Sequence, residues 1–559
     1  MTQSGHDQSP DPRRWIALGV VLTATFMQLI DVTIVNVAIP SIQRNLSASY
    51  AAIQFVLAGY QLAFAVALIT GGRLGDVVGR KRMFIIGMTG FTAASALCGT
   101  APNPGTLVGA RVLQGLMAAL MYPQVLSVIQ VSFPPRERSK AFGVFGATIG
   151  LAAITGPLLG GLLIRANIFG LDWRPIFLVN VPVGVASLIA AVIFLHESKA
   201  PRAVRLDLLG VVVGSGAVFL LVYPLVEGRS AGWPAWSLAM LVAAVPVIGL
   251  FAVLERRKAR LDASPLVEPA LFGDRAFVVG LVIAIIVFSG ITSFFLTLTL
   301  FLQIGLGFSP LAAGLTTLPF ALASAVSSGL SIRLAPRLGR TVLQIGAAFL
   351  VAGMGGMIVT THLASRPLTG YETIPSLFLG GLGLGLVVAP LVNVILAGIR
   401  HGHEGSASGV LTTVQQVGGA VGVAVIGVIF FALLSSNASR SSAAVAPTIR
   451  QELAAAHVPE PVTGRVIAGF RGCFHDRASE SDPTAIPPSC RRASSQAGPA
   501  VIRRAVGVAT IGAREDDFTT SVGTAWFYDV GVFALTFLLV FLLPPPHRRA
   551  LQHPGSAAP

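Results

Sequence analysis

Two ionisable side chains stand inside long apolar stretches of the chain: Asp31, in QLIDVTIVNVAIP, and Arg111, in LVGARVLQGLMAA. A charge in such surroundings is costly and persists only opposite a partner or a water-filled cavity. Asp31 lies seven residues before the end of its run at 38, and Arg111 lies six residues after the start of its run at 105. In antiparallel helices both then sit about 10 Å below the same surface, so each is the other's expected counter-ion. Burial disfavours a carboxylate and a nearby guanidinium favours it. Modest changes in hydration or separation can therefore load or release a proton on Asp31, whereas Arg111 does not titrate in the accessible range. Gln28, three residues before Asp31, and Gln114, three after Arg111, extend the same two faces. A permanent structural ion pair is the alternative reading.

Other chemistries find little support. No Lys follows a Gly, so there is no GxxxxGK phosphate loop and no ATPase to drive a pump. Gly228 to Gly232 reads GRSAG, the spacing of a serine nucleophile, but it follows an apolar run rather than a strand. His401, His403 and Glu404 lack the helical HExxH spacing and read as a solvated loop rather than a metal site. No metal and no cofactor is expected, and any work must draw on a gradient.

The elements that position these residues follow from composition. Of 559 residues, 53% are apolar and only 11% charged, less than half the charge of an ordinary soluble domain at about 25%; mean hydropathy is +0.77. This excludes a soluble enzyme and predicts an all-α polytopic membrane protein in a lipid bilayer. Fourteen runs are long and apolar enough to span, at about 15–38, 51–72, 83–101, 105–130, 141–164, 176–195, 206–226, 234–254, 276–303, 310–332, 341–361, 376–398, 407–434 and 525–543. The net charge of +15 is a matter of topology and does not imply a nucleic-acid partner. With the amino terminus inside, 23 Lys and Arg fall in the inner loops and tails against 5 in the short outer loops, which predicts both termini cytoplasmic. The first 14 residues lack a signal-peptide pattern, so the first run is expected to be retained. No second acid is expected at mid-span. The segment 435–524, rich in Ser, Ala, Pro and Arg, reads as a loose external loop with one helix around 448–456. Cys473 and Cys490 lie in it and could form a disulfide or remain free thiols, while Cys98 reads as a packed apolar residue.

Three further motifs stand in order along the chain. GRLGDVVGRKR from Gly72 to Arg82 resembles the signature loop of the major facilitator superfamily, LVGARVLQGLMAA resembles that family's proton-linked motif centred on Arg111, and TGPLLGG from Thr155 to Gly161 resembles its antiporter signature. Val77, where a basic residue is usual, and Ala152, where Gly is common, depart from the pattern. IDVTIVNVAIP, WRPIFLVNVPVG from Trp173 and SGVLTTVQQVGGAVG from Ser408 are similar to the fourteen-helix drug:proton antiporter branch, with Pro175 replacing an aromatic and Gln415 an Arg. LAPRLGR, ending at Arg340, reads as a degenerate second copy of the first loop, as paired halves require.

The resemblance implies a cytoplasmic N-terminal tail (1–14), a six-helix bundle (15–198), an inserted helix pair (199–258), a C-terminal bundle (259–434 with 525–543), the external loop and a cytoplasmic C-terminal tail (544–559). Substrate would bind between the bundles near the midplane and be exposed to either side in turn. Asp31 and Arg111 would couple protons, and Gly72, Asp76, Gly79 and Arg80 would close the cytoplasmic gate. Gly156, Pro157, Gly160 and Gly161 would pack and bend the fifth helix. Gln28, Gln114, Tyr60 and Gln61 are expected to line the substrate cavity, the last two about 14 Å from the outer surface. The expected activity is export of amphipathic small molecules, neutral or singly charged, from the plasma membrane by proton antiport, with the chain acting as a monomer. Uptake or symport of another solute, or a non-transporting receptor, are the competing readings.

Overall fold

The computed structural model describes residues 13–48, 50–199, 206–228, 231–261, 265–363, 368–399, 403–479, 487–495 and 500–544. His401, the centre of the GRSAG stretch at 229–230 and several of the Lys and Arg counted above lie outside this set, as do most of both tails.

Eighteen α-helices follow one another, and no strand occurs among the described residues. They are α1 (Arg14–Leu46), α2 (Tyr50–Val78), α3 (Arg80–Gly99), α4 (Pro104–Ser132), α5 (Pro135–Ala166), α6 (Pro175–Leu178), α7 (Asn180–Phe194), α8 (Leu208–Glu227), α9 (Ala235–Leu261), α10 (Arg275–Leu300), α11 (Pro310–Leu338), α12 (Thr341–Leu363), α13 (Ile374–Leu396), α14 (Glu404–Ala444), α15 (Ala446–Ala455), α16 (Glu460–Ser479), α17 (Pro488–Ser495) and α18 (Ala500–Leu539). Fourteen stretches are long and apolar enough to cross a membrane, α6 and α7 counting as one. Local chemistry sets several ends. Asn103 and Ser309 cap the starts of α4 and α11 with side-chain oxygens and put Pro at the first helical position, where its missing N–H costs nothing. Gly79, at φ 124°, makes the break between α2 and α3, a conformation that only glycine adopts without strain.

The first six crossings, α1 to α7, form one half; α10 to α14 and α18 form the other, and α8 with α9 packs beside them against α2 and α14. The halves meet where α5 lies along α11 and α2 along α14. Glycines make these approaches close. A Cβ on Gly143 would strike Ile332, and one on Gly72 would strike the backbone of Gly405 and Gly409. With no hydrophobic drive between helices in lipid, such contacts supply the packing. The ends of α2 and α3 that carry Arg73, Arg80, Lys81 and Arg82 define what is called here the basic end of the molecule.

The expected helix around 448–456 is α15, but the rest of the described residues of 435–524, expected to be a loose loop, are also mostly helical. α14 runs for 41 residues and α18 for 40, about 60 Å each, twice the roughly 30 Å of a hydrocarbon core. Their overhanging ends, with α15 and α16, enclose a separate apolar cluster of Ile449, Leu453, Ile467, Phe470, Ile502, Ala505, Ala509 and Ala513. A disulfide joins Cys473 of α16 to Cys490 of α17, with the two Cα atoms 4.5 Å apart. The apolar positions are sparse and separated by Arg and Ser, so a hydropathy window passes over them. Their helical spacing still provides one buried face.

Candidate functional site

Asp31 and Arg111 meet. Asp31, on α1, has no exposed surface and Arg111, on α4, has 1%. Arg111 Nη1 donates to Asp31 Oδ2 and, at 2.7 Å, to Gln114 Oε1. Gln114 Nε2 donates to Asp31 Oδ1 at 2.8 Å, so the face three residues on from Arg111 joins the same network. The Arg111 Nε–H goes to the carbonyl of Val56 on α2 at 3.2 Å, and its guanidinium lies 4.2 Å from the centre of the Tyr60 ring. Stacking on an aromatic face suits the weakly hydrated, planar guanidinium. Gln28 is buried beside the Tyr60 hydroxyl. Gln61 is exposed and stands outside the cluster.

Two further members of this network have no role assigned from the sequence, although one of them, Asn180, lies inside WRPIFLVNVPVG. Asn180, at the start of α7, donates to Asp31 Oδ1 at 3.3 Å and to Ser95 Oγ of α3 at 3.0 Å. Ser95 in turn donates to the Phe177 carbonyl at 3.0 Å. Four helices and α2 thus converge on one carboxylate, which accepts from three donors and is shielded from water. Buried polar networks persist only when satisfied in this way. Protonating Asp31 would remove an acceptor from Arg111 and release its hold.

α1 is positioned for this by α5. A Cβ at Gly156 would collide with Thr33 and approach the Ile30 carbonyl, and one at Gly160 would meet Ile34 at 2.8 Å. These contacts flank Asp31 by one turn. Pro157 lies inside α5, and Gly161 faces open space.

At the basic end a second ionic group spans the two halves. Asp76, fully buried at the end of α2, accepts from Gly405 N at 3.1 Å and Ser406 N at 3.0 Å. These are unpaired N–H groups of the first turn of α14, where an anion is favoured by the helix dipole. Arg80 Nη2 bridges Asp76 Oδ1 at 2.8 Å and Glu404 Oε2 at 3.1 Å, with Arg80 and Glu404 at 2% and 6% exposure. Ser127 of α4 and Ser408 of α14 are hydrogen-bonded at 2.8 Å just behind. The expectation of a solvated loop is therefore corrected for Glu404: it lies next to His403, yet it folds inward because Arg80 supplies the opposite charge. The positively charged ends of the halves would otherwise repel.

The expectation of no second acid at mid-span is also corrected. Asp529 is fully buried. The last apolar run begins at 525, which leaves Asp529 near its edge, but α18 is continuous from Ala500 and Asp529 is buried within it.

Two helical halves that can close on each other at one end, with a charged pair sealed inside one of them, are the architecture of a membrane carrier rather than of a receptor shell or a channel lined by charge. The family model described as Major Facilitator Superfamily matches residues 21–423, and the chain belongs to that family. It is 42% identical to the probable actinorhodin transporter of Streptomyces coelicolor, over 96% of this chain and 93% of that one. It is 39% identical to the puromycin resistance protein pur8 of Streptomyces alboniger, over 76% and 83%. It is 35% identical to the tetracenomycin C resistance and export protein of Streptomyces glaucescens, over 75% and 76%. Among solved structures, the human organic anion transporter MFSD10 shares the fold with a TM-score of 0.56 at 15% identity, covering 95% of this chain and all of that one. The proton:xylose symporter XylE gives 0.53 at 15% identity, over 74% and 88%.

Proposed function

We propose that the protein is a proton-coupled exporter in the plasma membrane, exchanging amphipathic, antibiotic-like small molecules for protons by alternating access. In this reading the basic end and both termini face the cytoplasm, as the asymmetry of Lys and Arg favours. The single observation that carries it is the sealed Asp31–Arg111–Gln114–Asn180 network: a carboxylate on α1 whose three donors come from α4 and α7, with α2 and α3 joined through Val56 and Ser95, so that gaining or losing one proton changes how those helices are held. The names of the three relatives, a transporter and two resistance proteins of antibiotics, support the substrate class and the direction.

Energetics are sufficient. One proton moving down 100 mV releases about 2.3 kcal/mol, and each pH unit about 1.36 kcal/mol. Together they sustain a gradient of a neutral compound of several hundredfold. The test uses everted membrane vesicles with an imposed pH gradient, to which actinorhodin, puromycin or tetracenomycin C is added. Wild type should dissipate the gradient on addition of a transported compound, and Asp31→Asn should not. Undiminished proton flux in Asp31→Asn overturns the assignment of the coupling site; compound movement indifferent to the pH gradient overturns antiport.

A further inference from the structure

The C-terminal half holds a buried acid of its own in a setting opposite to that of Asp31. Asp529, on α18, lies 14 residues before Leu543 at the basic end, about 20 Å along the helix axis, and has no exposed surface. Its Oδ1 is bonded to Ser293 Oγ of α10. Its Oδ2 has no hydrogen-bond partner. Ser293 Oγ is also 3.0 Å from the Gly290 carbonyl. A hydroxyl carries one hydrogen, so Ser293 cannot donate to both acceptors. A carboxyl that carries a hydrogen can donate to Ser293 Oγ while Ser293 donates to Gly290, whereas a carboxylate would take the Ser293 hydrogen and still leave Oδ2 charged and unpaired in a buried position.

Among the described residues of the helices packed against it, no cation stands near; the nearest on α18, Arg514, is 15 residues away. On α10 the only ionisable residue is Arg275, 18 residues before Ser293. On α12 it is His362, which faces Gly523, six residues from Asp529. On α14 they are Glu404 and Arg440, near its two ends. On α18 itself the neighbours are Tyr528, whose hydroxyl is paired with Ser289 at 2.7 Å, and Asp517, twelve residues away. Trp526 Nε1 is taken by Thr297 at 3.0 Å. An uncompensated charge here would cost several kcal/mol, so neutrality requires a proton, or a cation brought from outside.

We propose that Asp529 is a second proton-carrying carboxyl, one in each half of the carrier, which holds a proton while α10 and α18 are closed around it and releases it when they part. The O–H bond breaks, the proton passes to water on the open side and the electron pair stays on the carboxylate, whose charge an incoming cationic group can offset. This deepens the antiport reading and rests on it. It also removes the restriction to neutral or singly charged substrates, because two vacated carboxyls can balance a doubly charged one.

The test has two arms. In the first, infrared difference spectra are recorded on wild-type protein in lipid vesicles between low and high pH, without substrate. A protonated-carboxyl C=O band that responds to pH should be missing in Asp529→Asn, present in Asp31→Asn and displaced in Ser293→Ala, which keeps the acid but removes its hydroxyl partner. In the second, vesicles hold a pH difference of one unit and accumulate actinorhodin, puromycin or tetracenomycin C. Each coupled proton multiplies the attainable gradient about tenfold per pH unit, so Asp529→Asn should lower the steady gradient about tenfold. A pH-responsive band that Asp529→Asn leaves intact overturns the proposal, as does an unchanged gradient in that variant. Failure of wild type to drive any compound against the pH gradient sinks the antiport reading, and the band arm then decides alone whether Asp529 exchanges a proton. If Asp529→Asn does not fold, Asp529→Glu serves in its place: a displaced band with a retained gradient supports the proposal, and an unmoved band overturns it.

Discussion

Replacing Asp76 by Asn tests whether the ionic group at the basic end is a gate or merely packing. Asp76 accepts three hydrogen bonds, from Arg80, Gly405 N and Ser406 N, all in buried surroundings. Asn is nearly isosteric but offers one carbonyl oxygen where the carboxylate offered two, so its NH₂ group faces either Arg80 or a backbone N–H. At least one charge-assisted bond is lost, worth about 1.5–3 kcal/mol, and a donor is left opposed to a donor. A net shift of about 2–4 kcal/mol against the closed form follows, which at about 1.4 kcal/mol per decade is a rise of roughly 30- to 700-fold in the open fraction. The readout is a Ser127→Cys probe. Ser127 is fully buried behind the latch, and the natural cysteines do not compete, since Cys98 is buried and the other two are joined. A membrane-impermeant maleimide supplied from the basic side should label the probe at least 30-fold faster in the Asp76→Asn background. Labelling at the wild-type rate, with the variant folded, would refute the reasoning, because it would mean that the bonds at Asp76 are made equally in both conformations.

Four further outcomes are expected. Gly156→Ala drives a methyl group into Thr33 and should lower compound-driven proton flux by an order of magnitude at normal expression, whereas Gly161→Ala, which faces open space, should match wild type in the same assay. Arg111→Lys cannot serve Asp31, Gln114 and the Val56 carbonyl together, and should cost tenfold or more in proton flux while remaining folded by circular dichroism. Cys473→Ser should make α17 and its surroundings more sensitive to protease by an opening free energy lower by about 2–4 kcal/mol, with the transported gradient unchanged. Asp31→Asn should alter the labelling rate of the Ser127→Cys probe even though Asp31 takes no part in the basic-end contacts.

The spanning helices were legible because a bilayer enforces a simple rule of length and hydropathy, and the first charged pair was legible because both members stand in the middle of their runs. Asn180 and Ser95 were not, since an isolated amide or hydroxyl costs little and leaves no pattern; only the convergence of α3 and α7 on Asp31 gives them a role. Glu404 was misread because its local company, His401 and His403, is polar, while the residue that draws it inward lies 324 positions away at Arg80. Of the cap, only α15 was legible, for a related reason: the cap's core is assembled from single apolar residues on α15, α16 and the overhang of α18. Asp529 was lost at a boundary. A run of apolar residues marks where a helix must be in lipid, not where it stops being buried by other helices.

The two charged groups of the N-terminal half are about 30 Å apart along α2, yet that helix serves both. Its first half gives Arg111 the Val56 carbonyl and the face of Tyr60, and its last turns carry Gly72 and Asp76 to the start of α14. In the proposed exchange, a proton arriving on Asp31 would weaken the ionic contact of Arg111 and leave the guanidinium free to shift against α2. A helix is stiff over this length, so a small rotation or tilt at Tyr60 is delivered at Asp76, where three hydrogen bonds of fixed direction tolerate little displacement. Gly72 makes the far end sensitive, because its contact with Gly405 and Gly409 leaves no side chain to absorb a shift. On the proposed reading, protonation and gating would be coupled through one rigid element rather than through a chain of side chains. The Ser127→Cys probe discriminates between the two routes: a response to Asp31→Asn that is lost when Tyr60 is truncated to Ala runs through α2, and a response that survives runs elsewhere.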